Sequence, residues 1–108
     1  MAGLVDRTGC GSAYRPDGMW ELRRLGAPDR FRGVRLLDVG TGDGRLALAA
    51  APLARRVVGI DPDPAAIALA RASARANGWR HVSFRHGAVQ RLVGHGERFD
   101  LALFSWSL

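Results

Sequence analysis

Most of the chemistry legible in this sequence lies in the run Leu36-Leu37-Asp38-Val39-Gly40-Thr41-Gly42-Asp43-Gly44-Arg45. Its glycines, Gly40, Gly42 and Gly44, are spaced G-x-G-x-G. Between a strand and a helix, such glycines let the backbone turn sharply. They also let a ligand lie against main-chain atoms with no side chain in between. Asp61 follows at the end of the next apolar run. A carboxylate there accepts hydrogen bonds from both hydroxyls of a ribose. Together these residues point to a nucleoside-bearing ligand.

Two ligand classes share that arrangement, and the remaining residues separate them. A dinucleotide enzyme of the NAD(P)-dependent oxidoreductase type uses G-x-G-x-x-G, and here the last position is Arg45. A pyrophosphate is an anion held at the positive end of a helix, whereas this loop carries Asp43 inside it and Asp38 just before it. Two carboxylates repel a pyrophosphate and suit a ligand with an ammonium and a sulfonium. S-adenosylmethionine carries both, together with a ribose for Asp61. Plainer roles exist for the same residues: Asp43 as a helix cap and Asp61 as the opening of an Asp-Pro turn.

The elements that must position these residues alternate in type from Arg35 onward. Leu36–Val39 reads as a strand, Gly40–Gly44 as a loop, and Arg45–Ala51 as a helix ended or kinked at Pro52. Val57–Ile60 is a second strand. Asp63 caps a helix with Pro64 at its first position, and the helix runs to Asn77 with Gly78 as a left-handed stop. Val82–Arg85 and Phe99–Ser105 complete the strands. Such alternation predicts an α/β fold with a doubly wound, mostly parallel sheet. The first, second and fourth strands are nearly continuous apolar runs, as in strands covered on both faces, while the third alternates and suits an edge. The order 3-2-1-4 follows, which puts the glycine loop at the switch point where open sheets bind ligands. Ahead of this lies an N-terminal extension, residues 1–33, with a short amphipathic helix over Met19–Leu25 that aligns Met19, Leu22 and Leu25.

Composition narrows the class further. The chain has 108 residues, 47% of them hydrophobic, which suits one small folded domain and excludes a disordered one. Its longest near-apolar run, Leu46–Ala54, is too short to span a bilayer, which needs roughly 20 residues. The first residues lack the apolar stretch of a signal peptide, so a cytoplasmic protein is expected. The lone Cys10 forms no internal disulfide and supports no cysteine-based zinc site, and no metal is expected. The net charge of +6 comes from arginines spread from Arg7 to Arg98, with no lysine. Dispersed charge argues against a nucleic-acid footprint. His81, His86 and His95 read as surface histidines, so no catalytic base is assigned.

Residues Arg35 to Ser107 resemble the class I S-adenosylmethionine-dependent methyltransferases. LLDVGTGDG is similar to the family's first motif, VVGIDPD to its acidic second, VSFRHGAVQRL to its third and FDLALFSWSL to its fourth. The resemblance implies a Rossmann-like domain over residues 34–108 that binds S-adenosylmethionine. Gly40, Gly42 and Gly44 would frame the methionine part, with Asp38 near its amino group. Asp61 would hold the ribose, with Pro62 and Asp63 beside the adenine. Ser105 and Trp106 would lie near the methyl group. The family's third motif often reads Gly-Asp, and here the pair is Gly87-Ala88, so backbone groups around Ala88 and Val89 would meet the adenine instead. The sequence after the fourth strand lacks the Asn/Asp-Pro-Pro-aromatic signature of amino-group DNA methyltransferases, which favours a small-molecule substrate. The family sheet has seven strands, so the chain reads as a fragment truncated after the fourth, with an apolar edge and a risk of inactivity.

Overall fold

A computed structural model describes residues 18–92 and 96–105. Cys10, His95 and Trp106 lie outside the described residues. The first described element is α1 (Gly18–Arg24), followed by a 3-10 turn at Asp29–Phe31. Then come β1 (Arg35–Val39), α2 (Arg45–Ala50), β2 (Arg56–Asp61) and α3 (Pro64–Ala76). β3 (Val82–His86), a 3-10 turn at Val89–Leu92 and β4 (Leu101–Phe104) follow.

The four strands form one parallel sheet in the order β3-β2-β1-β4, as the apolar patterns predict. In register, Leu37 of β1 faces Val58 of β2 on one side and Ala102 of β4 on the other. Central β2 is buried from Val57 to Ile60, while edge strand β3 alternates, with Val82 and Phe84 buried. β4 is shorter than the predicted Phe99–Ser105. The Asp100 N–H donates to the Arg35 carbonyl at 2.8 Å while its carboxylate accepts from the Arg35 backbone N–H at 2.8 Å, and the paired register begins at Leu101 opposite Leu36. Coverage of β4 on both faces does not hold: Leu103 alone of its residues is buried, while Ala102 is exposed and Phe104 is 64% exposed.

α3 owes its start to Asp63, whose carboxylate accepts from the Ala65 N–H at 3.0 Å, with Pro64 at the first helical position. Its end falls at Gly78, which takes the left-handed φ of +70°. Ile67, Ala70 and Ala74 form its buried stripe against the sheet.

The main core joins Leu36, Val57, Phe84 and Leu103 of the sheet to Leu46 and Ala47 of α2 and to the α3 stripe. Leu22 of α1 and Phe31 of the first 3-10 turn belong to the same core, at 0% and 1% exposure. Each such side chain contributes about 1.5–3 kcal/mol on burial, so residues ahead of β1 help hold the sheet. Leu25 does not share their face. The helix ends at Arg24, and Leu25 turns outward with 44% exposure. On the opposite face of the sheet, Leu37, Val58 and Ile60 make a smaller cluster with Val39, Val89 and Phe99. Among the described residues no helix is long and apolar enough to cross a membrane.

Candidate functional site

The glycine loop is anchored to the end of β2. The N–H groups of Gly40 and Thr41 both donate to the Ile60 carbonyl, at 2.9 and 3.1 Å. Gly40, Gly42 and Gly44 all have left-handed φ, at +73°, +58° and +87°. Any other residue there would be strained. A Cβ built on Gly42 meets nothing within 4 Å, so the loop leaves open space above this residue.

The underside of the loop is tight. A Cβ on Gly44 would stand 2.9 Å from Phe84 Cζ, and one on Gly59 would stand 2.6 Å from Phe84 Cδ1 and 2.7 Å from Thr41 Oγ1. The Phe84 ring is thus wedged beneath the loop, and Gly59 is the β2 residue that makes room for it. Neither role is visible in a motif, because the contact joins three separate elements.

Two carboxylates flank the loop and do different work. Asp38 is completely buried. One of its oxygens accepts from the Thr41 hydroxyl at 2.7 Å and the other from the Ser105 hydroxyl at 2.5 Å. Ser105 Oγ also lies 3.2 Å from the Gly40 carbonyl oxygen, so the residue just past β4 is tied to the loop twice. Burial pushes the Asp38 carboxyl up to about 6, against the pull of these two hydroxyls and with a further push from Asp61. Asp61 is half-buried. Its Oδ2 accepts from the Gly42 N–H at 2.9 Å and its Oδ1 from the Asp63 N–H at 2.8 Å. It therefore holds the loop and opens α3 while still facing the solvent side. Asp43 is exposed, and its Oδ1 accepts from the Arg45 N–H at 3.3 Å, as a local helix-start contact.

Two cavities meet at this point. A polar one of about 310 Å³ is lined by Gly40, Thr41, Gly42, Asp43, Arg45, Leu46, Asp61 and Ser105. A mainly apolar one of about 420 Å³ is lined by Val39, Gly40, Ile60, Asp61, Pro62, Gly87, Ala88 and Val89. They share Gly40 and Asp61. Of the residues singled out from sequence, Gly40, Gly42, Asp61, Pro62, Ala88 and Ser105 are brought together as lining. Asp38 and Gly44 are not among the lining residues and stand behind the loop, shaping it. His86 Nε2 donates to the Pro62 carbonyl at 3.0 Å, and His81 Nε2 donates to the Ala51 carbonyl at 2.7 Å, away from both cavities. Among the described residues no cluster of ligating side chains suits a metal ion.

One further charged contact reaches this site. Arg45 Nη1 donates to Glu21 Oε1, and Glu21 is a buried residue of α1. The spacing of 24 residues gives no local signal for such a pair.

Comparison with known proteins gives a consistent picture. Residues 36–108 match a family described as "Methyltransferase domain". The chain is 40% identical over 81 residues to a "Ubiquinone biosynthesis O-methyltransferase" of Roseobacter denitrificans, covering 75% of this chain and 32% of that protein. A protein of the same description from Azorhizobium caulinodans is 40% identical over 73 residues, covering 68% of this chain and 28% of that one. The chain thus spans about a third of the length of the curated relatives it matches. Among solved structures, protein arginine methyltransferase 10 of Arabidopsis thaliana matches with a TM-score of 0.64 and 34% identity, over 72% of this chain and 22% of that one. The YcgJ protein of Bacillus subtilis matches with a TM-score of 0.66 and 25% identity, over 81% of this chain and 36% of that one.

Proposed function

The chain belongs to the methyltransferase domain family, and from that premise we propose that it binds S-adenosylmethionine across the two joined cavities, as the cofactor-binding part of an enzyme that methylates a small molecule. The observation that carries this reading is the position of Asp61, on the wall shared by an apolar and a polar cavity. The ligand has the same order of parts: an apolar adenine, a ribose with two hydroxyls, and a charged amino-acid end.

The residues present fit that ligand. Ile60, Pro62, Ala88 and Val89 provide flat apolar contact for the adenine. Each Asp61 oxygen has one main-chain donor and a second lone pair for a ribose hydroxyl. The open space above Gly42 admits the chain that leads from ribose to sulfur. Asp38 keeps the loop in this shape through Thr41 and Ser105 and adds negative potential behind it. The bound cofactor supplies a methyl group on a sulfonium, an electrophile that needs a positioned nucleophile more than a strong base. Ser105, at the end of β4, lines the polar cavity where that nucleophile would approach. An oxygen nucleophile on a small molecule is the first expectation, since the matched relatives are described as O-methyltransferases.

Calorimetry with S-adenosylhomocysteine and with NAD tests the proposal. Binding of the first and not the second is expected. Measurable NAD binding with no heat from S-adenosylhomocysteine would overturn it.

A further inference from the structure

A third cavity, of about 230 Å³, opens between α3 and the outer edge of β3. Its walls include Arg71 and Arg75 from α3, Val82 and Phe84 from β3, and Trp79 from the turn between them. It shares no lining residue with the two cavities at the glycine loop, and no carboxylate lines it. The two arginines stand one helical turn apart, where like charges repel. α3 itself, from Pro64 to Ala76, contains no acidic residue that could offset them. Among the described residues neither arginine has a carboxylate partner.

The edge of β3 adds main-chain donors to this charge. The His81 carbonyl accepts from Val57 and the Gly87 N–H donates to the Asp61 carbonyl, so these odd positions face β2. Main-chain groups alternate sides along a strand, which turns those of Val82, Phe84 and His86 outward. The Phe84 carbonyl accepts from Arg71 Nε at 3.0 Å. That bond fixes the plane of a rigid fork and leaves its two Nη groups to the groove. The Phe84 N–H points the same way as its carbonyl, as a further donor on the groove wall. The negative end of α3 does not cancel this field. The carbonyls of Ser73, Ala74 and Arg75 accept from Asn77, Trp79 and Gly78, so the last turn has its own partners.

We infer that this groove is an anion site, separate from the cofactor cavities, that takes a small phosphomonoester dianion between Arg71 and Arg75. Two cations match two negative charges, and a guanidinium fork matches the spacing of phosphoryl oxygens. A monocarboxylate would satisfy only one of the two arginines. The volume is below the roughly 300–1,000 Å³ of pockets for drug-sized ligands, which limits the occupant to a phosphoryl group with little attached. Half-buried Trp79 offers a flat apolar wall to that attached group.

Calorimetry on the full chain at fixed ionic strength, with inorganic phosphate, phenyl phosphate and acetate, tests the inference. The parent should bind both phosphates at one site and acetate at least about tenfold more weakly. Equal affinity for the two phosphates identifies the free ion as the occupant, and tighter phenyl phosphate identifies a phosphate carried on an organic group. Replacing both arginines (R71Q with R75Q) should weaken both phosphates by about tenfold or more. Arg75→Gln alone leaves the Arg71–Phe84 bond in place and should still weaken them by at least about threefold. The pair R55Q with R56Q removes the same charge at the exposed start of β2 and should stay within about twofold of the parent. Thermal melts of all variants establish that they are folded. The inference is overturned if neither phosphate binds saturably, if acetate binds as tightly, or if the two double variants lose affinity equally.

Discussion

Replacing Asp38 by Asn should stabilise the folded chain at neutral pH, by an amount that grows with pH. Asp38 is fully buried, and its carboxyl lies at about 6 in the fold against an ordinary value of 3.8. The folded value is the higher one, so the folded state holds this proton more tightly than the unfolded state. Below about pH 3 both states are protonated and no penalty exists. As pH rises from about 3 to about 6 the unfolded carboxyl ionises freely while the buried one resists, and above that window the full penalty stands. About two pH units at 1.36 kcal/mol each make roughly 3 kcal/mol. An Asn side chain is neutral throughout. It can accept from the Thr41 hydroxyl, and Ser105 can turn to the Gly40 carbonyl, 3.2 Å away. Urea unfolding of parent and variant at pH 4, 5, 6 and 7.5 reads the effect directly. The variant should gain about 2–3 kcal/mol at pH 7.5 and only about 0.5 kcal/mol at pH 4, by the same linkage. Asp100 titrates in the other direction: Arg35 holds it near 2, so its contribution is present above 3.8 and fades as pH falls toward 2. It is common to both chains and cancels in the comparison. A variant less stable than its parent at pH 7.5, or a gain that does not change with pH, would refute the reasoning.

Three other outcomes follow from the same geometry. Asp61→Ala should weaken S-adenosylhomocysteine binding by about 1.5–3 kcal/mol, and Asp61→Asn by less because one acceptor remains; calorimetry that finds both equal to the parent would reduce Asp61 to a turn residue. Gly59→Ala should cost about 1–3 kcal/mol of stability by thermal or urea unfolding, because its methyl would press on Phe84 and Thr41 at under 3 Å. The same variant should bind cofactor more weakly, since it pushes the loop from below. Leu22→Ala should destabilise by about 2–5 kcal/mol as a fully buried side chain of the main core, whereas Leu25→Ala, half-exposed beside it, should be nearly silent.

The sheet was legible because its signals are local. Leu36–Val39 and Val57–Ile60 are apolar runs long enough for strands, Asp63-Pro64 and Gly78 mark the ends of α3, and the alternation in β3 marks an edge. The glycine loop and Asp61 were legible for the same reason, since spacing along the chain fixes what they can do. The 3-10 turns at Asp29–Phe31 and Val89–Leu92 left no trace, being too short to show a period. The face of Leu25 was misjudged because α1 ends one residue earlier than the spacing suggested. Gly59, Phe84 and Thr41 escaped notice together, as their meaning lies in mutual contact. The Glu21–Arg45 pair escaped too, because nothing in either residue's neighbourhood points to the other. Asp38 was readable as a carboxylate beside the site, but its burial beneath two hydroxyls was not.

The placement of Leu22, Phe31 and Glu21 bears on how this domain is to be cut and recombined. The segment that matches the family begins at residue 36, yet two fully buried side chains and the anchor of Arg45 lie upstream of it. A transplant of residues 36–108 into a relative would carry the glycine loop without its brace and leave a hole in the receiving core where Leu22 and Phe31 belong. The inheritable unit is therefore wider than the recognisable one. A chimera joined before Gly18 should fold as the parent does, while one joined at Leu36 should depend on whether the recipient's own leading helix brings an acidic residue to meet Arg45.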